Sequence, residues 1–231
     1  MKQLPLGVRW PDRSAFANFF AGPNSLVVEE LRALPGRARA TAVWVWGPPA
    51  SGKTHLLQAA CSATGAADRR AAYFPLAQRT QLAPGALAGC EQLDLVCIDD
   101  AERAAGDEGW EHALFNLYNG MFEQQHQLLF AAQSPPATLP WTLPDLRSRL
   151  SAGLVLQIRP LNEGEQIAAL KLHASVRGLE LPEETAAYLM RRFPRDLRTL
   201  CTLLDTLDTA ALAAQRRLTV PFIRQVIDER A

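Results

Sequence analysis

The eight residues Gly47-Pro48-Pro49-Ala50-Ser51-Gly52-Lys53-Thr54 fit the spacing G-x-x-x-x-G-K-[ST]. Each fixed position has a task in holding a phosphate chain. The two glycines let the backbone turn so that successive N–H groups face one anion. Lys53 sets a compact positive charge against the outer phosphates, and Thr54 offers a hydroxyl to Mg²⁺. His55 follows, where it either touches a nucleotide from the helix start or packs. About 45 residues downstream, Asp99-Asp100 closes an apolar run. Asp99 there can reach Mg²⁺ through water, and Asp100 can orient an attacking water.

These groups need elements to hold them, and the flanking sequence supplies those. Thr41–Trp46 is almost continuously apolar, as a strand covered on both faces would be. Residues 55–60 are good helix sequence, so the glycine loop opens onto a helix N-terminus, where anions are favoured. Further strands are read at 71–74, 93–98, 127–132 and 154–158. Trp110, Ala113, Leu114, Leu117 and Met121 recur at helical spacing, giving a helix over about 108–124. Five short apolar strands with helices between them predict an α/β fold around a parallel sheet. Trp44, Trp46 and Trp110 read as packing residues.

Past Pro160 the pattern becomes all helical. Asn162 and Glu165 have the spacing of a capping box, Gly178 suits a helix stop, and Pro182 suits a first helical turn. Helices are expected near 163–177, 183–193, 195–213 and 220–230. The domain reading is therefore 1–9, a mobile N-terminal segment; 10–159, a nucleotide-binding core; and 160–231, a small helical domain.

Composition narrows the function classes. The chain has 231 residues, with Lys+Arg and Asp+Glu equal at 24 each. That balance argues against a protein that grips nucleic acid through bulk charge. The four cysteines show no CxxC and no zinc spacing, which suits reduced thiols in a cytoplasmic protein. There is no signal-peptide core and no apolar run long enough to span a membrane, so no membrane partner is expected.

Three further tracts carry a resemblance. Gly52-Lys53-Thr54-His55-Leu56-Leu57 resembles the phosphate-loop exit of the DnaA branch of AAA+ ATPases. Residues 14–24 are similar to the N-terminal box of that branch, which packs around adenine. Arg195-Asp196-Leu197-Arg198-Thr199-Leu200 resembles its sensor II helix, where Arg198 would reach the outer phosphates. The resemblance covers essentially the whole chain. It implies an AAA+ core with a five-stranded parallel sheet, followed by a helical lid, with ADP or ATP and Mg²⁺ between them.

Within the branch, the chain is similar to regulatory inactivators of DnaA. It ends at Ala231, just past the lid, so no helix-turn-helix domain for origin DNA is expected. Gln3-Leu4-Pro5-Leu6 resembles the segment that docks on the bacterial sliding clamp, the β subunit of DNA polymerase III. Two leucines would enter an apolar cleft and the glutamine amide would fix the register; Gly7 stands where a proline is expected. The resemblance gives Arg149 the role of an arginine finger, with Arg147 two residues away as the second choice. Gln133 stands at the sensor I position, where Asn, Asp or Thr is more usual. It either positions water or is one reason for slow hydrolysis.

The function implied is negative regulation of replication initiation. The chain, holding adenine nucleotide (ADP as the working state), docks on the DNA-loaded clamp and stimulates hydrolysis of ATP on DnaA. DNA is reached only through the clamp, and a homodimer stays open. The alternatives are an autonomous AAA+ ATPase acting as a helicase loader or primosomal motor, a structural adaptor on the clamp, and a small-molecule kinase. For the kinase we find no acceptor site.

Overall fold

In the computed structural model, residues 14–193, 197–214 and 218–228 are described. A first unit comprises residues up to Phe16 together with Asn24–Arg159; a second comprises Ala17–Pro23 with the residues from Pro160 onward.

The first unit is a five-stranded, all-parallel sheet: β1 (Thr41–Trp46), β2 (Ala71–Pro75), β3 (Leu95–Asp99), β4 (Gln127–Ala132) and β5 (Leu154–Gln157), in the order β2-β3-β4-β1-β5. The apolar runs explain the order. Every residue of β3 and β4 is buried, as are the four inner residues of β1, whereas the edge strands β2 and β5 are only half-buried. A strand with helices on both faces has no polar side to show, so its sequence loses the alternation of a one-sided sheet.

Helices α1 (Ser25–Ala33), α2 (Lys53–Ala66), α3 (Glu108–Glu123) and α4 (Pro144–Ala152) accompany the sheet. Under the sheet Trp44 stacks on Phe130 at 5.5 Å and meets Trp141 edge-on at 6.3 Å. Both indole N–H groups donate to carbonyls, of Ser134 and Pro136, so the polar handles of two buried aromatics are satisfied. Trp110 is buried and Trp46 is partly buried against the same core.

The second unit packs α5 (Glu163–Ser175), α6 (Glu183–Arg192), α7 (Leu197–Ala214) and α8 (Val220–Asp228) around Leu170, Leu189, Leu204, Leu207, Phe222 and Ile223. Asn162 and Glu165 form the expected reciprocal capping box. Gly178 takes φ +72° just past α5, the left-handed position a helix stop requires.

Several details differ from the sequence reading. Strand β3 begins at Leu95, two residues later than expected. Leu93 closes a 3-10 turn, and the Asp94 carboxylate is turned onto the Arg70 amide at 2.9 Å. Pro182 is the N-cap of α6, not part of its first turn. Helix α1 went unread, since a nine-residue helix shows only Val27, Val28 and Leu31 as its buried stripe. None of the four cysteines is in a disulfide, and Cys61 and Cys97 are buried. No helix among the described residues is long and apolar enough to cross a membrane.

Candidate nucleotide-binding site

The glycine loop joins the end of β1, between β4 and β5 in the sheet, to α2. Gly47 donates to the Ala132 carbonyl, and Ile158 donates to that of Trp46, so β1 is held on both sides to its last residue. A Cβ on Gly47 would stand 2.6 Å from the Ile158 carbonyl oxygen. Gly52, the N-cap of α2, has φ +92°. The two glycines thus serve different needs, close backbone approach and a left-handed turn. Gly47→Ala is therefore expected to destabilise the first unit by about 1–3 kcal/mol, as overpacking does, visible as a lower urea midpoint.

Pro48, Pro49 and Ala50 are exposed on the outside of the loop. Lys53 is buried at 8% exposure, and its ammonium donates to the Gly47 and Pro48 carbonyls, each at 2.8 Å. Burial pushes its pKa down, while the nearby carboxylates of Glu102, Asp99 and Asp100 push it back up.

Thr54 and Asp99 meet directly. The Thr54 hydroxyl donates to Asp99 Oδ2 at 2.7 Å, and Tyr73 donates to the same oxygen at 2.7 Å. Asp99 Oδ1 accepts from the Asp100 amide at 3.1 Å. Asp100 sits in the left-handed region at φ +52°. Its carboxyl pKa is raised by burial and by Asp99, against the pull of Arg103 and Lys53.

Whether phosphate and its metal fit here is tested by the loop itself. Ser51 Oγ is buried without a hydrogen-bond partner, the kind of orphan a phosphate oxygen would satisfy. Thr54 spends its proton on Asp99 and keeps its lone pairs for a cation. Among the described residues no three His, Cys, Asp or Glu side chains gather into a metal cluster. A Mg²⁺ held by Thr54 and Asp99 would therefore draw its other oxygens from phosphate and water, as that ion does in phosphate sites. The donor set fits.

The remaining candidates are distributed as follows. The His55 ring nitrogen Nε2 pairs with the Ala15 carbonyl at 3.0 Å, and burial lowers its pKa against that bond. Gln133 is exposed immediately after β4. Arg149 and Arg147 lie on α4. Arg147 is exposed, whereas the Arg149 guanidinium lies over the Phe115 ring at 4.4 Å and near Tyr118 at 5.8 Å. Arg198 is on α7, but its side chain is outside the described residues, as are Gln3, Leu4, Pro5 and Leu6.

Sequence reasoning missed four groups. Tyr73 and Gln58 carry no motif. Glu102 lies in the turn after β3 with both carboxylate oxygens out of solvent. Burial and Asp100 raise its pKa, and the backbone N–H groups of Glu102 and Gln133 and the Lys53 charge oppose them. Its only signal was a third acid in the string Asp-Asp-Ala-Glu. Glu111, fully buried on α3, accepts from Gly106, Thr142 and Leu143 amides and from the Thr142 hydroxyl, at 2.7–3.0 Å.

A phosphate loop between β1 and α2, an acid pair at the end of β3 two strands away, and a separate helical unit together define an AAA+ core with its lid. Residues 163–227 match the family described as "Hda, lid domain", and residues 88–157 match "Bacterial DnaA ATPAse domain". The two matches on one chain support a DnaA-related AAA+ protein of the Hda type. Among solved structures, it is similar to domain III of the Thermotoga maritima replication initiation protein DnaA. That likeness has 22% identity and a TM-score of 0.74, over 96% of this chain and 98% of that one. It is also similar to AMPPCP-bound DnaA from Aquifex aeolicus, with 23% identity and a TM-score of 0.72, over 85% of this chain. The match spans only 65% of that longer protein. The Thermotoga maritima RuvB branch migration motor shares the fold at 19% identity and a TM-score of 0.62, over 90% of this chain and 67% of that one.

Proposed function

We propose that this protein is a negative regulator of replication initiation that binds an adenine nucleotide with Mg²⁺ and stimulates hydrolysis of ATP held by DnaA. The observation that carries the reading is an Hda-type lid match on the same chain as a phosphate loop whose Thr54 is bonded to Asp99. The AMPPCP-bound state of the Aquifex neighbour supports nucleotide binding here.

In this reading Lys53 and the loop amides hold the outer phosphates, Thr54 and Asp99 hold the cation, and His55 completes the contacts. Mg²⁺ would neutralise charge on the phosphates. ADP is the working ligand, and the bound nucleotide biases the protein toward the state that binds it better. Arg149 is presented to ATP on DnaA, where a guanidinium stabilises charge building on the transferred phosphoryl group. Its stack on Phe115 supports the choice of Arg149 over the solvated Arg147, because it restrains a long side chain before any partner is met. Gln3, Leu4, Pro5 and Leu6 dock on the sliding clamp and bring the protein to DNA.

Gln3→Ala should abolish the dependence of DnaA-bound ATP hydrolysis on DNA-loaded clamp and reduce the rate at least tenfold at limiting protein. An unchanged rate would remove the clamp contact from this account. A second reading, an autonomous ATPase, is favoured by the placement of Asp100 and Glu102 near Lys53, which supplies acids for water activation. Steady-state turnover by the isolated protein separates the two: strong turnover supports the motor, and its absence supports the regulator.

A further inference from the structure

The loop-side carboxylate belongs to a longer chain of hydrogen bonds. In the parallel pair β2–β3, Tyr73 is in register with Cys97. Asp99, two residues on, shares the Cys97 face, and the Tyr73 phenol leans along the sheet to meet it at 2.7 Å. Helix α2 packs across β2 and β3. Thr54 and Gln58 are four residues apart on it and so point the same way. Thr54 donates to Asp99, and the Gln58 side chain hydrogen-bonds the Tyr73 hydroxyl. Gln58 Oε1 in turn accepts from the Ser14 hydroxyl at 2.7 Å. Ser14 donates to Gln58 and Tyr73 donates to Asp99, with Gln58 as a side-chain partner of the Tyr73 hydroxyl between them. The neighbouring Ala15 carbonyl is held by His55 of the same helix at 3.0 Å.

We propose that Tyr73 is a positioning residue for Asp99, and that Gln58 and Ser14 extend its hold to residues 14–16, coupling the order of that segment to the Mg²⁺ response of the nucleotide site. This rests on the nucleotide-binding reading above. The physical reason lies in the lone pairs. Asp99 Oδ2 takes both hydroxyls and Oδ1 takes an amide, so the carboxylate is pinned at 3% exposure. A pinned acceptor fixes the direction in which Thr54 spends its proton, and with it the lone pairs Thr54 turns to a cation. Removing the phenol oxygen takes away one of the three bonds that hold the carboxylate and loosens its orientation. The loss of such an outer partner commonly costs 10- to 100-fold in metal affinity.

The test uses the intact protein and a fluorescent ADP analogue. The dissociation constant is measured with EDTA and with saturating Mg²⁺, and their ratio is the Mg²⁺ enhancement. In Tyr73→Phe, which keeps the ring, the enhancement is expected to fall about tenfold, while the Mg²⁺-free constant changes less than about twofold. Ser14→Ala and Gln58→Ala are expected to lower it less, and Ser14→Ala is expected to add nothing once Tyr73→Phe is present, as linked residues do. Amide exchange at residues 14–16 should slow on adding Mg²⁺ and ADP to the wild type, and should not slow in Tyr73→Phe. If Tyr73→Phe does not fold, the same pair of readouts on Gln58→Ala decides. Full enhancement with unchanged exchange in the variants would overturn the proposal while leaving nucleotide binding intact. A wild type that binds no adenine nucleotide would overturn the nucleotide reading and this proposal with it.

Discussion

Arg149→Ala is expected to lower the rate of ATP hydrolysis on DnaA by about 10³-fold or more, the range over which a missing arginine finger acts. The loss should fall on the rate at saturating protein, and nucleotide binding to the chain itself should be unchanged. Arg149→Lys should recover little of it, since an ammonium lacks the planar two-pronged donor face of a guanidinium. Arg147→Ala serves as the matched control, an exposed residue of the same helix, and should stay within about twofold of the wild type in rate. The side chain of Arg149 contributes little to folding. Its stack on Phe115 is worth about 0.5–1 kcal/mol at a partly exposed site. A large loss of activity with a small shift in Tm is therefore the expected signature. Single-turnover measurement on DnaA preloaded with ATP reads it, and equal losses for Arg147→Ala and Arg149→Ala would remove the assignment of the finger.

Glu111→Ala should be the most destabilising single change in the first unit, by about 3–5 kcal/mol in urea unfolding. The carboxylate has no solvent exposure and takes four hydrogen bonds. Truncation strands three backbone N–H groups at once, each costing about 1–3 kcal/mol. The geometry ties stability to function, because Gly106 lies just before α3 and Thr142 and Leu143 just before α4, the helix that bears Arg149. Leu143 supplies no side-chain cap of its own.

The pH dependence of this contribution has a definite sign. Burial alone would raise the Glu111 pKa, but the bonds from Thr142, Gly106 and Leu143 outweigh it and hold the carboxyl below its ordinary value. A carboxyl lowered by folding stabilises fully above its unfolded pKa of about 4.3 and loses that contribution as pH falls through the folded value. The stability gap between the wild type and Glu111→Gln should therefore be widest near neutrality and narrow below pH about 4. A gap independent of pH would show that the bonds are not charge-assisted.

What could be read from sequence was what is local in the chain. Lys53 and Thr54 are fixed by one loop, and Asp99 ends an apolar run, so strand and acid announce each other. The capping box of Asn162 and Glu165 is three residues wide and was equally plain. Glu111, Tyr73 and Gln58 were not legible for the opposite reason. Their partners lie 31, 26 and 44 residues away, at Thr142, Asp99 and Ser14. Nothing in the residues around them marks the pairing. Glu111 reads as one more acid in a first helical turn, and Tyr73 as an aromatic in a strand. Helix α4 shows the same limit, since Leu146 and Leu150 are too few to stand out among its polar residues. The stack of Arg149 on Phe115 joins two helices and has no linear signature at all.

The most direct test of the regulator reading is a single-turnover experiment that assigns hydrolysis to one of the two proteins. DnaA is loaded with γ-labelled ATP and freed of excess, and this protein is loaded with ADP. The two are mixed with sliding clamp on DNA, and phosphate release is followed against DnaA concentration. For a regulator, one phosphate is released per DnaA, far faster than from DnaA alone and only with clamp on DNA. Phosphate release no faster than from DnaA alone, or hydrolysis of added ATP by this protein without DnaA at a comparable rate, would contradict it.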